Sequence, residues 1–317
     1  MRVYMKSLLK ENSKLPWEKD FVLDTAGEEL PSVSIVIPIY NAGSFLEKTL
    51  RSLMCNDLTG VELILMDGGS NDDTMSIVEH YKEIFSHVQS KKDEGQSDAI
   101  NKGYEIATGD ILYWLNGDDI ILPNTLNAVR RYFKNNDCDA LVGNAYMTEI
   151  DFKPINHFIF SEEKLQFSYL LDYAKNHLIQ PSVFFTRKAW DTAGPLDIND
   201  HYAMDADLFI GMAKNFKLHH INLDIAYSVY HEECKTRGAR AESITSLALV
   251  QAKHGGLAEA KATLNILVDL YRQQEKELNE VPDGVKTKAL AAKLASLENH
   301  VAQQRELCLQ ADLKAHP

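Results

Sequence analysis

The stretch ILYWLNGDD, residues 111–119, runs apolar and aromatic residues straight into Asn116, Gly117, Asp118 and Asp119. Two adjacent carboxylates at the end of a buried strand are costly to desolvate, and a bound cation offsets that cost. Asp118 is a hard oxygen donor suited to Mg2+ or Mn2+, and such an ion in turn holds a diphosphate. Asp119 reads equally well as the N-cap of a helix in ILPNTLNAVRRYF. A second polar group follows another apolar run. In MDGGSNDDT (66–74), Asp67 can accept hydrogen bonds from a base or ribose, and Gly68 lets a flat ligand approach the backbone. An ordinary Gly-rich turn capped by Asp72 or Asp73 explains the same letters. In DEGQSDAINKGYEIATGD (93–110), a helix starts at Ser97 or Asp98 and contains Gly103. A mid-helix glycine costs about 1 kcal/mol against Ala, which points to a close approach there.

These groups need a frame. SVSIVIPIYN (32–41) is a β-branched run that breaks into a loop at its proline. SFLEKTLRSLM (44–54) has helical spacing, with Ser44 as N-cap and Glu47 completing a capping box. VELILMD (61–67) is a second strand, a helix is expected over 73–85, HVQSKKDEG gives a weak third strand, and DILYWLN a fourth. Strands alternating with helices indicate parallel βαβ units with helices on both faces. Ligands in such sheets gather at the carboxyl ends of the strands, so Asp67 and residues 116–119 fall along one edge.

Beyond residue 120, DALVGNAYMTE (139–149) reads as a strand and PSVFFTRKAWDTAG (181–194) as a strand entering a helix. AMDADLFIGMAKNF (203–216) reads as a helix, and KLHHINLDIAYSVYH (217–231) as an extended, hairpin-like stretch. From about residue 241 the chain is rich in Ala, Leu, Glu, Lys and Gln. It reads as three helices broken at Gly255-Gly256 and Pro282-Asp283-Gly284. A lead-in (1–30), a main domain (31–240) and a helical extension (241–317) are therefore expected.

The net charge of −13 argues against nucleic acid as a partner. Cys55, Cys138, Cys234 and Cys308 form no CxxC pair, so neither zinc nor a disulfide framework is suggested. No apolar leader is found, and no stretch reaches the roughly 20 apolar residues of a membrane-spanning helix. No G-x-G-x-x-G follows the first strand and no Walker motif occurs.

PSVSIVIPIYNAGSFLEKTLRSL, MDGGSNDDT, DEGQSDAINKGYEIATGDILYWLNGDD and QPSVFFTRKAW, in this order and spacing, resemble the family-2 nucleotide-sugar glycosyltransferases of GT-A fold. The resemblance covers about residues 31–235. It implies an α/β fold, a Rossmann-like mixed sheet flanked by helices, here with an all-α C-terminal extension. It implies that Pro38, Tyr40 and Asn41 border the nucleotide, that Asp67 with Gly68 meets the base, and that Gln96, Asp98 and Asn101 line the donor pocket. The family's D-x-D falls on Asn116, Gly117 and Asp118, so its first carboxylate is an amide here. Asp118 is left as the principal ligand of Mn2+ or Mg2+. Asp205 takes the general-base position and is expected to titrate in the ordinary carboxylate range. Asp207, about 200° round the helix, cannot share that role. His231 takes the place of a metal or diphosphate ligand, with Lys235 and Arg237 as phosphate partners.

The expected reaction is inverting transfer of a sugar from a UDP- or GDP-sugar to a hydroxyl of a glycan or lipid-linked acceptor, in polysaccharide or glycolipid assembly. A cytoplasmic location is expected, with peripheral attachment at the inner face of a membrane and oligomer contacts through the C-terminal helices left open. Asn116 and the helical tail motivate an alternative, a nucleotide-sugar-binding scaffold without catalysis. A sugar nucleotidyltransferase is the further alternative, but it requires a basic residue in the loop after the first strand, and IPIYNAGSF has none.

Overall fold

The computed structural model describes residues 15–19, 21–231 and 239–279. Nine strands among them form one sheet: β1 (Val33–Ile39), β2 (Val61–Asp67), β3 (His87–Ser90), β4 (Ile111–Trp114), β5 (Ile120–Ile121), β6 (Ala140–Thr148), β7 (Pro154–Phe158), β8 (Val183–Thr186) and β9 (Leu218–Val229). The order is β3-β2-β1-β4-β8-β6-β9-β5, with β7 paired to β6. The helices are α1 (Leu46–Leu53), α2 (Thr74–His80), α3 (Gln96–Ile106), α4 (Thr125–Asn135), α5 (Phe167–Leu170), α6 (Tyr173–Asn176), α7 (Arg187–Ala193), α8 (Met204–Asn215), α9 (Arg240–Lys253) and α10 (Leu257–Asn279).

The first half is parallel. β1 runs alongside β2 and β4, and β2 alongside β3. β8 is antiparallel to both β4 and β6, which makes the sheet mixed. All seven residues of β1 are buried, as a central strand covered on both faces must be. The chain leaves β1 on one side to build β2 and β3 and returns on the other as β4, so the direction of winding reverses between β1 and β4. That reversal opens a crevice at the carboxyl ends of the strands.

Pro38 fits this break. The carbonyls of Ser32 and Val36 accept from the amides of Ile111 and Leu115, so alternate positions of β1 turn their backbone toward β4. The β1–β4 pairing ends at Val36 opposite Trp114, and Pro38 is the next position of that set. Its missing N–H therefore removes no ladder bond, and the two strands part where it sits. Gly103 of α3 shows the close approach its type suggested, because a Cβ there would lie 2.5 Å from Cγ1 of Val36 on β1.

Several local expectations are corrected. Ser44 does not cap α1. The helix begins at Leu46, and Glu47 is buried with an oxygen accepting from the Tyr81 hydroxyl at 2.9 Å. Asp119 caps no helix either, since β5 intervenes and α4 starts after Asn124 in the left-handed region (φ 62°). α3 starts after Gly95 (φ 115°), two or three residues earlier than Ser97 or Asp98 as cap would give. Residues 217–231 make no hairpin. β9 is one long strand parallel to β6, and a bulge near Asn144 lets both edges match.

The described part of the lead-in is packed against the main domain. Trp17 is buried edge-on against Phe152 at 4.6 Å, and Glu18 pairs with Arg51 of α1. Cys55 and Cys138 are both buried. Cys234, Lys235, Arg237, the break at 282–284 and Cys308 lie outside the described residues. No helix among the described residues is long and apolar enough to cross a membrane.

Candidate active site

The crevice at the β1/β4 reversal is a cavity of ≈ 820 Å3. Pro38, Tyr40, Asn41, Gly68, Gln96, Asn116, Gly117, Asp118 and His231, all named from the sequence, line it. Asp67, Asp98, Asn101 and Asp205 do not.

The loops after β1 and β2 are stitched together. The Asn41 amide donates to Ser70 Oγ at 2.7 Å, and Asn41 Oδ1 accepts from the Asn71 amide at 2.9 Å. Asn41 takes a positive φ of 51°, a conformation Asn tolerates better than most residues. Asp67 is 2 % exposed and holds this loop, its oxygens accepting from Ser70 Oγ and Ser90 Oγ, each at 2.5 Å. Asp93 rather than Asp67 presents its carboxylate to the cavity. Gly68 makes room for it, since a Cβ there would lie 3.0 Å from Asp93 Oδ2. Burial raises the proton affinity of Asp93.

At the end of β4 the amide of Asn116 is fully engaged. Its Nδ2 donates to Asp119 Oδ2 at 3.0 Å and to Gln180 Oε1 at 2.9 Å, while its Oδ1 accepts from Gln96 Nε2 at 2.7 Å. A carboxylate at this position could give neither donation. Asp119, 4 % exposed, also accepts from the Val229 amide. Burial first, and the charge of Asp118 second, hold its carboxyl well above the usual range. Asn116 thus ties the strand end to α3, to the segment before β8 and to the buried carboxyl.

Asp118 turns the other way. Its Oδ2 lies 2.9 Å from His231 Nε2, and Phe45 stacks on the His231 ring at 4.4 Å. The aspartate side chain is 33 % exposed and the histidine 8 %. A carboxylate that faces a cavity suits Mn2+ or Mg2+, and the imidazole beside it adds a nitrogen donor. Among the described residues, no group of three or more His, Cys, Asp or Glu could hold a metal alone. The protein would then supply two ligands and leave the rest to donor oxygens and water, a common arrangement for Mg2+.

Asp98 and Asn101 serve α3 itself. Asp98 accepts from the Glu94 amide and from Lys102 Nζ. Asn101 bridges to both the amide and the carbonyl of Leu196, each at 2.9 Å. Asp205 stands in the first turn of α8, whose Met204 sulfur lies 2.8 Å from Ser97 Oγ, next in the chain to the cavity residue Gln96. Burial, with the charge of Asp200 adding to it, pushes the Asp205 carboxyl up to about 6. The expectation of an ordinary carboxylate is corrected on that ground, and Asp205 is still ionised in the main at pH 7. Asp207 faces elsewhere, with Lys253 Nζ at 2.6 Å and His254 Nε2 at 2.7 Å.

Phe45, Lys92, Asp93, Asp119 and Ser228 line the cavity without having been named as ligand-facing. Asp93 opens the stretch DEGQSDAINKGYEIATGD, and its place between the third strand and α3 was the available signal.

Residues 34–191 match the family described as Glycosyl transferase family 2. An uncharacterized glycosyltransferase of Escherichia coli, YibD, is 31% identical over 115 residues, 36% of this chain and 33% of that protein. The chain thus spans about a third of that relative's length. Among solved structures, S. aureus TarS in complex with UDP-GlcNAc aligns with TM-score 0.57 at 18% identity, covering 69% of this chain and 66% of that one. The mannosyltransferase PcManGT from Pyrobaculum calidifontis, in complex with GDP-Man and Mn2+, aligns with TM-score 0.52 at 15% identity over 85% of this chain and 81% of that one. These structural likenesses speak to the fold, a GT-A sheet flanked by helices.

Proposed function

We propose that this chain, whose residues 34–191 belong to glycosyl transferase family 2, transfers a sugar from a nucleoside-diphosphate donor to an acceptor hydroxyl with inversion at the anomeric carbon. The main support is the meeting of Asp118 and His231 at the mouth of the strand-end cavity, 2.9 Å apart. Asp118 and His231 would hold a divalent cation, which when bound offsets the charge that develops on the departing diphosphate. Similarity to proteins that bind UDP-GlcNAc, or GDP-Man with Mn2+, supports the same donor class.

The remaining chemistry falls to side chains. Tyr40, Asn41, Asp93 and Gln96 border the nucleoside, and the Asn116 network fixes the floor beneath the donor. Asp205 takes the proton of the acceptor hydroxyl as that oxygen attacks the anomeric carbon. The bond from that carbon to the diphosphate oxygen breaks, and its electron pair leaves with the diphosphate. One displacement from the face opposite the leaving group inverts the configuration. The acceptor is a hydroxyl of a glycan or glycolipid.

Thermal unfolding with UDP-, GDP-, CDP- and dTDP-sugars, each with and without Mn2+, tests this. A donor at 100 times its Kd stabilises by about 2.7 kcal/mol, and one nucleotide is expected to give that shift only with the metal. A flat panel contradicts the proposal. Donor binding without turnover favours a scaffold, the reading that the amide at position 116 keeps open.

A further inference from the structure

The described helices of the C-terminal extension grip the part of the fold that carries Asp205. Ser246 of α9 donates its hydroxyl to Asp200 Oδ1 at 2.6 Å. The same oxygen accepts the amides of Tyr202 and Ala203, each at 2.9 Å, and so shapes the entry to α8. The Asp200 carbonyl accepts from Ser97 Oγ at 3.3 Å, which joins this entry to the start of α3 beside the cavity. Five residues after Asp200 comes Asp205.

Two more grips flank it. Asp207 is held by Lys253 of α9 and by His254, and its side chain is only 17 % exposed. Gln251 of α9 donates to the Leu171 carbonyl at 2.9 Å, and its own Oε1 accepts from Thr263 of α10 at 2.7 Å. Leu171 leads into α6, whose Tyr173 lies near enough to Asp205 to feel its charge. Gly256 lets the turn between α9 and α10 close on this segment, for a Cβ there would meet Leu171 Cγ at 2.7 Å. The loop before the base, the helix that carries it and the segment facing it are thus tied to one pair of helices.

We propose that the α9–α10 pair is a positioning element for the general base, and that Ser246, through Asp200, sets where Asp205 meets the acceptor hydroxyl. This rests on Asp205 being the base. None of the three grips touches the residues that line the donor cavity except through Ser97, so donor binding and turnover should separate. Small displacements of a catalytic group cost rate steeply.

The test compares wild type, Ser246→Ala and Ser246→Thr for turnover, read as nucleoside-diphosphate release, and for the Kd of the nucleoside diphosphate with Mn2+. Ser246→Ala is expected to lower kcat about tenfold with that Kd unchanged, since a loosened base loses alignment without loss of the donor site. Ser246→Thr restores the donor hydroxyl and is expected to recover most of the rate. An unchanged kcat in Ser246→Ala, alongside an inactive Asp205→Asn, overturns the positioning role alone. A parallel loss of kcat and donor affinity that Thr does not rescue also overturns it, as general loosening. Turnover that survives in Asp205→Asn removes the base assignment, and this role with it.

Discussion

Asp205→Asn is expected to lower turnover by about 10²–10⁴, the usual worth of a positioned general base, while leaving nucleoside-diphosphate affinity intact. The same substitution should make the protein more stable near pH 7.5. In wild type, burial and the nearby charge of Asp200 push the Asp205 carboxyl up to about 6, against 3.8 for an unperturbed aspartate. The folded state therefore binds a proton more tightly than the unfolded chain. Stability that is fully present below the unfolded value is lost as pH rises through about 6. An ionised, half-buried Asp205 then costs on the order of 1–2 kcal/mol at neutral pH, after allowance for the water that reaches it. An amide keeps the acceptor that the Ala206 amide meets at 2.8 Å and removes the charge. Melting curves at pH 4.5 and 7.5 check the sign. The variant should gain on wild type by a few degrees at the higher pH and by clearly less at the lower. Activity should fall on the acid side as pH passes below about 6. Higher stability together with lost turnover would mark a group held at a cost for chemistry. Equal stability at both pH values would mean that Asp205 is not held in a desolvated state.

Asp118→Asn carries the second large effect. An amide keeps the shape of the side chain and a partner for His231, but it loses the charge that recruits a cation. Turnover is expected to fall about 10²–10³, the range seen when one electrostatic stabiliser of a developing anion is removed. Calorimetric titration with nucleoside diphosphate separates the causes. Mn2+ should tighten binding to wild type and do little for the variant. An undiminished metal effect in Asp118→Asn would move the cation away from the β4 end.

Much of the donor side was legible because strand ends announce themselves. Runs such as VSIVIPI and ILYW stop at a proline or at an Asn-Gly pair, and both stops fall at the cavity. The letters could not say which polar group faces the ligand. Asp67 ends one strand and Asp93 lies just beyond another, and only the three-dimensional loop shows that serine hydroxyls occupy the first while the second faces the cavity. Asp98 and Asn101 sit on the same helix as Gln96, yet helical rotation turns them toward Lys102 and Leu196. Asp119 read as a cap because capping is the commonest use of an aspartate before a helix. β5 is only two residues long and left no pattern to displace that reading. The parallel pairing of β6 and β9 was illegible for a different reason. They are separated by β7, β8 and several helices, and no local periodicity encodes a contact of that range. The raised proton affinity of Asp205 likewise depends on Asp200 and on neighbouring elements that its own heptad of sequence does not contain.

The most direct test of the central claim is the anomeric configuration of the glycoside product, read by 1H NMR from the coupling of its anomeric proton, with the donor that the thermal panel identifies. A single displacement with Asp205 as base predicts a product linkage of the anomeric configuration opposite to the donor's. Appearance of the donor's own configuration would require a covalent intermediate or front-face attack, and would contradict the assignment of Asp205.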